Sequence, residues 1–108
     1  MRRLLSVVVS VYNEEEALAQ FYQVTEGILN TISWDYELVF VNDGSRDQSL
    51  PILNHLADSN PKVKVVSFSR NFGHEAAMIA GIDYSQGDGI ICMDADLQHP
   101  PACIPEII

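Results

Sequence analysis

Gly89-Ile90-Ile91-Cys92-Met93-Asp94-Ala95-Asp96-Leu97-Gln98-His99-Pro100-Pro101 leads from a glycine turn through an apolar run into two carboxylates one residue apart, then into paired prolines. The apolar run reads as a buried strand, and the prolines end any strand that reaches them. Asp94 and Asp96 therefore sit at the strand's C-terminal mouth. In an open parallel α/β sheet that edge holds the ligand crevice, because the loops leaving the strand ends converge there. On a locally extended chain both carboxylates fall on one side, and at that spacing they repel unless a cation or proton lies between them. A divalent metal answers this economically: Mg²⁺ or Mn²⁺ takes one or two protein carboxylates and completes its shell with water and substrate phosphate. On this segment alone, a solvated acidic loop is the competing reading.

Working outward, Gln86-Gly87-Asp88-Gly89 is a turn preceded by a short helix over 75–84. Before it, Val63 to Ser69 reads as a strand whose mouth carries Arg70-Asn71-Phe72-Gly73-His74. A helix from Ser49 to Ala57 is supported by Ile52, Leu53, Leu56 and Ala57, with Pro51 tolerated in its first turn. The strand Tyr36 to Val41 ends in Asn42-Asp43-Gly44-Ser45, where glycine permits a sharp turn. Leu4 to Val11 is apolar on both faces, as in a strand covered by helices on each side. Asn13 and Glu16 are spaced as a capping box for the next helix, whose apolar period runs through Leu18, Phe21, Ile28 and Ile32. The order β-α-β-α-β-α-β with short loops implies an α/β fold with a mostly parallel sheet and right-handed crossovers.

The chain has 108 residues, 47% of them hydrophobic, which suits one small globular unit and excludes disorder. Its 15 acidic and 6 basic residues leave a net charge of −9, so nucleic acid and anionic lipid are not expected as generic partners. An anionic substrate would need a metal or local cations. Cys92 and Cys103 form no CxxC pair, and Cys92 falls within the apolar strand; both read as reduced core thiols, which fits a cytosolic compartment. The apolar start at Leu4-Leu5 is broken by Ser6, Ser10 and Asn13, so neither a signal peptide nor a membrane span is expected there. Ala102 to Ile108 resembles the opening of a helix, and the expectation is that the chain is the N-terminal part of a longer domain.

All strand mouths carry polar residues while the strand bodies are nearly free of charge. Val9 to Glu16 (Val-Ser-Val-Tyr-Asn-Glu-Glu-Glu), Val41 to Asp47 (Val-Asn-Asp-Gly-Ser-Arg-Asp), Ser69 to Glu75 (Ser-Arg-Asn-Phe-Gly-His-Glu) and Met93 to Pro101 (Met-Asp-Ala-Asp-Leu-Gln-His-Pro-Pro) follow in order. With these motifs the chain resembles the nucleotide-binding half of a family 2 glycosyltransferase of the GT-A, Rossmann-like fold. It is most similar to the branch of dolichol-phosphate mannose synthases and bactoprenol glucosyltransferases. That resemblance implies inverting transfer of a hexose from a UDP- or GDP-sugar to a polyprenyl phosphate, at the cytoplasmic face of the membrane, in the building of cell-envelope polysaccharide. It also implies roles for single positions. Tyr12 and Glu14 pack on the base and ribose, and Asp43 reads the base edge. Asp94 and Asp96 hold Mg²⁺ or Mn²⁺ on the donor diphosphate, with Ala95 against the ribose and Gln98 near the metal. Arg70 and His74 lie beside this site. The resemblance places the catalytic base and a membrane-associated segment beyond Ile108, so this stretch alone binds donor and transfers sugar poorly. A homo-oligomer is compatible with the sequence. Ser10 departs from the pattern, since many relatives carry proline there.

Simpler roles stand beside these: Asp43 as a turn residue, Glu14 as a first-turn helix charge, Arg70 as an ion-pair partner, and His74 as a helix cap. A haloacid-dehalogenase-like phosphatase also uses Asp-x-Asp, but on its first strand and usually followed by threonine or valine, whereas Leu97-Gln98 follows here. A noncatalytic nucleotide-binding or regulatory fragment with a receiver-like acidic pocket is the other alternative; receiver domains need an acidic pair after strand one and a lone aspartate after strand three, and the third mouth here is Arg70-Asn71.

Overall fold

The computed structural model describes residues 3–95. Asp96, Gln98, His99, Cys103 and the helix expected from Ala102 lie outside the described residues. Seven elements follow in strict alternation: β1 (Leu4–Val11), α1 (Leu18–Leu29), β2 (Asp35–Asn42), α2 (Ser49–Ser59), β3 (Val63–Ser67), α3 (His74–Tyr84) and β4 (Gly89–Asp94). The α/β fold with a parallel sheet is as the apolar runs imply, and every boundary except the two ends of α1 falls within two residues of its expected place. The strands pair in parallel in the order β3-β2-β1-β4.

That order accounts for the apolar character of β1. Strands β2 and β4 flank it, and Leu5, Val7, Val8, Val9 and Val11 are all fully buried. On one face Leu5, Val7 and Val9 pack with Leu18 and Phe21 of α1 and Leu53 of α2. Phe21 meets Phe40 of β2 edge-to-face, with ring centroids 6.4 Å apart and planes at 74°, a contact worth ~1 kcal/mol beyond its buried area. On the other face Val8, Val39 and Val41 receive Ala77 of α3. Gly81 lets α3 come this close, because a Cβ there would lie 2.3 Å from Val8 Cγ1.

The chain moves outward from β1 to β3 with α1 and α2 on one face, then crosses back over the other face through α3 to β4. The winding therefore reverses between β1 and β4, and the crevice outside the carboxyl ends of these two strands is the topological switch point. Register pairs Ser10 with Asp94 there.

Two sequence expectations are corrected. The helix after β1 does not begin at an Asn13–Glu16 capping box: α1 starts at Leu18, and Ala17 at its N-cap makes no side-chain cap bond. The Asn13 side chain and the Glu14 and Glu15 amides are instead bonded to the segment after β2, as described below. Cys92 is not a core thiol. Among the described residues β4 is an edge strand, its residues alternate in exposure, and Ile90 and Cys92 face outward.

Candidate active site

Among the described residues three loops leave the C-terminal edge of the sheet, and hydrogen bonds bind them and the end of β4 into one surface. After β1, Tyr12 stands 43% exposed at the mouth. Asn13 follows with φ 53°, a left-handed conformation that asparagine tolerates better than most residues. Its Oδ1 accepts from the Arg46 amide at 2.8 Å, and its own amide donates to Ser45 Oγ at 3.0 Å. The Glu14 amide donates to Ser49 Oγ at 2.9 Å, and the Glu15 amide to Asp47 Oδ2 at 3.2 Å. Glu14 itself is half-buried. The first loop is thus held by the second across more than thirty residues of sequence. Asp47 also accepts from the Ser49 amide at 2.9 Å. The little burial it has would raise its pKa, but the bonds from Ser49 and from the Glu15 amide outweigh that and hold it below its ordinary value.

Asp43, 3% exposed, directly follows β2. Its Oδ1 accepts from the Phe72 amide at 2.8 Å, and Oδ2 accepts from the Gly73 amide at 3.1 Å and from Asn71 Nδ2 at 3.2 Å. The carboxylate therefore anchors the third loop. With a single bond on Oδ1 among the described residues, it keeps an acceptor direction there. Gly44, at φ 71°, makes the turn that brings the loops together; a Cβ there would stand 2.2 Å from the Arg70 carbonyl carbon. In the third loop Arg70 lays its guanidinium 4.7 Å over the Phe72 ring, which meets Phe68 edge-on at 5.5 Å.

At the switch point Asp94 Oδ1 lies 2.7 Å from His74 Nε2 and accepts from Ser10 Oγ at 3.3 Å. An ionised carboxylate can only accept, so Nε2 carries the ring proton. Among the described residues Oδ2 has no hydrogen-bond donor. His74 is the first residue of α3, and Gly73 occupies the N-cap position, so the capping role expected for His74 is replaced by this carboxylate contact. Ala95, just beyond, is buried in the α1-side core.

Among the described residues this surface includes two cavities, with Tyr12 and Asn71 lining both. One, of about 260 Å³, lies between Tyr12, Asp43, Gly73 and His74 and reaches Ser10. The other, of about 480 Å³, lies over the β2 and β3 mouths between Arg46, Phe68 and Arg70. The structure thus brings Tyr12, Asp43 and Asp94 to one edge, with Glu14 at its border. Among the described residues no three His, Cys, Asp or Glu side chains gather into a metal cage. The donor chemistry nonetheless fits a hard cation: an oxygen of Asp94 is open at the crevice, and Mg²⁺ or Mn²⁺ needs few protein carboxylates when phosphate supplies the rest. Sequence reading did not connect Ser10 or Asn71 to this chemistry, and it set His74 beside the site without its contact to Asp94. For Ser10 a signal existed, since it stands one residue from the end of β1 and Asp94 ends β4, and neighbouring parallel strands put such positions side by side.

The family model "Glycosyl transferase family 2" matches residues 6–108. A Bacillus subtilis protein, "Uncharacterized glycosyltransferase YkcC", is 50% identical over 95% of this chain and 32% of its own length. The Escherichia coli "Prophage bactoprenol glucosyl transferase homolog" is 48% identical over 96% of this chain and 34% of its own. The chain thus spans about a third of the length of these curated relatives. Among solved structures, a Pyrobaculum calidifontis mannosyltransferase, PcManGT, in complex with GDP-Man and Mn²⁺ superposes with a TM-score of 0.77 at 20% identity, covering 89% of this chain and 28% of that one. Staphylococcus aureus TarS 1-349 in complex with UDP superposes with a TM-score of 0.74 at 24% identity, covering 89% and 28%.

Proposed function

The chain belongs to glycosyl transferase family 2, and from that premise we propose that it is the donor-binding part of an enzyme that transfers a hexose from a UDP- or GDP-sugar, with inversion, to a polyprenyl phosphate. The observation that carries this reading is the convergence of the first, second and fourth mouths at the switch point, with an open carboxylate oxygen on Asp94 and a cavity between Tyr12 and Asp43. That cavity, about 260 Å³, is smaller than the ~300–1,000 Å³ typical of sites for drug-sized ligands, so it suits the base and not the whole donor. Tyr12 stacks on the base, Asp43 accepts from a ring N–H, and Glu14 borders the ribose. The diphosphate runs toward Asp94 over the Ala95 turn.

Asp94, with Asp96 and Gln98, would hold Mg²⁺ or Mn²⁺; when bound, the cation supplies positive charge to the diphosphate as the glycosidic bond breaks. Both named ligands of the superposed structures, GDP-Man with Mn²⁺ and UDP, agree with a nucleotide donor and leave the base open. A lipid-phosphate acceptor is supported by the bactoprenol relatives, and with it a location at the cytoplasmic face of the membrane and a part in cell-envelope polysaccharide. Among the described residues no helix is long and apolar enough to cross a membrane. The catalytic base is assigned to sequence after Ile108.

The test is calorimetric titration of the full-length protein with UDP and with GDP, each with and without Mn²⁺, repeated on Asp94→Asn and Asp96→Asn. The reading predicts metal-dependent binding of one nucleotide, lost in both variants. Absence of binding to demonstrably folded protein would overturn it.

A further inference from the structure

We infer that Ser10 and His74 are positioning residues that fix Asp94 for its ligand by occupying Oδ1 and leaving Oδ2 as the single oxygen offered to a cation. This rests on the reading of Asp94 as a metal ligand. Three features support it. The two donors come from different elements, Ser10 from the end of β1 and His74 from the first turn of α3, yet both end on the same carboxylate oxygen, at 3.3 and 2.7 Å. The other oxygen has no donor among the described residues. Lastly, His74 is not free to choose its position: Asp43 holds the amides of Phe72 and Gly73 immediately before it, at 2.8 and 3.1 Å.

Hydrogen bonds from Asp43 to the 72–73 amides, the peptide link from Gly73 to His74 and the His74–Asp94 bond therefore join the carboxylate beside the base cavity to the one at the switch point. A carboxylate with one oxygen pinned has a single rotational setting, so a cation meets an oriented ligand and not a swinging one. Outer-sphere hydrogen bonds of this kind characteristically change metal affinity or activity by about 10- to 100-fold when removed.

The experiment uses the full-length protein and reads the Mn²⁺-dependent gain in UDP or GDP affinity, the ratio of Kd in EDTA to Kd in saturating Mn²⁺. His74→Ala is expected to shrink that gain by about 10- to 100-fold. His74→Gln, whose amide can still donate to Oδ1, is expected to recover most of it. Ser10→Ala is expected to lose less, about three- to tenfold, because its 3.3 Å bond is long. His74 is exposed, so its variants should stay folded, which circular dichroism checks. An unchanged gain in the His74→Ala, Ser10→Ala double variant overturns the proposal, as does a Gln variant no better than Ala. Asp94→Asn separates the two levels: if it too keeps the full gain, Asp94 is no metal ligand and the donor-site reading itself has failed.

Discussion

Replacing Asp43 by alanine removes the acceptor that ties the third loop to the sheet. In the native chain its buried carboxylate takes the amides of Phe72 and Gly73 at 2.8 and 3.1 Å. Hydrogen bonds to a charged acceptor are worth about 1.5–3 kcal/mol each, which sets an upper limit near ~3–6 kcal/mol for the two. Phe72 is 51% exposed, so water replaces part of the loss. A net cost of about 2–3 kcal/mol remains, confined to opening of the loop, which is a ~30- to 150-fold change in the opening equilibrium. Hydrogen exchange followed by mass spectrometry reads this directly. Peptides spanning 69–75 should exchange faster by that factor in Asp43→Ala, and by a smaller factor in Asp43→Asn, whose remaining oxygen can keep one amide. Peptides from β1 should be unchanged. Equal protection of the loop in wild type and Asp43→Ala would refute the reasoning, since Asp43 would then not be what holds it.

Glu37 is 7% exposed, and its Oε2 accepts from Ser6 Oγ at 2.6 Å and from the Gln86 amide at 2.8 Å; Glu37→Ala strands both donors and should lower unfolding free energy by about 2–4 kcal/mol in denaturant titration, with Glu37→Gln milder. Gly44→Ala should cost at least ~2 kcal/mol, because a positive φ is joined to a 2.2 Å collision with Arg70 backbone; a melting temperature equal to wild type would contradict the turn geometry. Asp47 gives a pH dependence. Its pKa is lowered by its bonds from Ser49 and the Glu15 amide despite the opposing effect of burial, so its contribution to joining the first two loops is complete above the ordinary carboxylate range. That contribution is lost as pH falls through the lowered native value, and exchange at 13–17 should accelerate there in wild type but not in Asp47→Asn.

The fold was legible because each element carries its own local signal. Leu4–Val11 is apolar on both faces and becomes the doubly covered central strand; Gly44 marks the turn that only glycine fits. What was not legible depends on partners distant in sequence. Asn13 and its acidic neighbours have the composition of a helix start, but the second loop, more than thirty residues on, offers them Ser45, Arg46, Asp47 and Ser49, and that competition moves the start of α1 to Leu18. Cys92 sits in an apolar run, yet strand order leaves that side of β4 uncovered among the described residues. His74 has the position of a cap, and only the reversal of winding through α3 brings it against a carboxylate twenty residues later. The candidate site divides in the same way. The polar mouths could be found one at a time, whereas the bonds that join them follow from the parallel register of β1 with β4 and from the anchoring of the third loop by Asp43.

The most direct test of the account is anomalous diffraction at the manganese edge from crystals of the full-length protein grown with Mn²⁺ and whichever nucleotide binds. The account predicts a single peak at the switch point against Oδ2 of Asp94, with the base between Tyr12 and Asp43 and Oδ1 still held by His74. A nucleotide bound elsewhere, or a metal that makes no contact with Asp94, would contradict it.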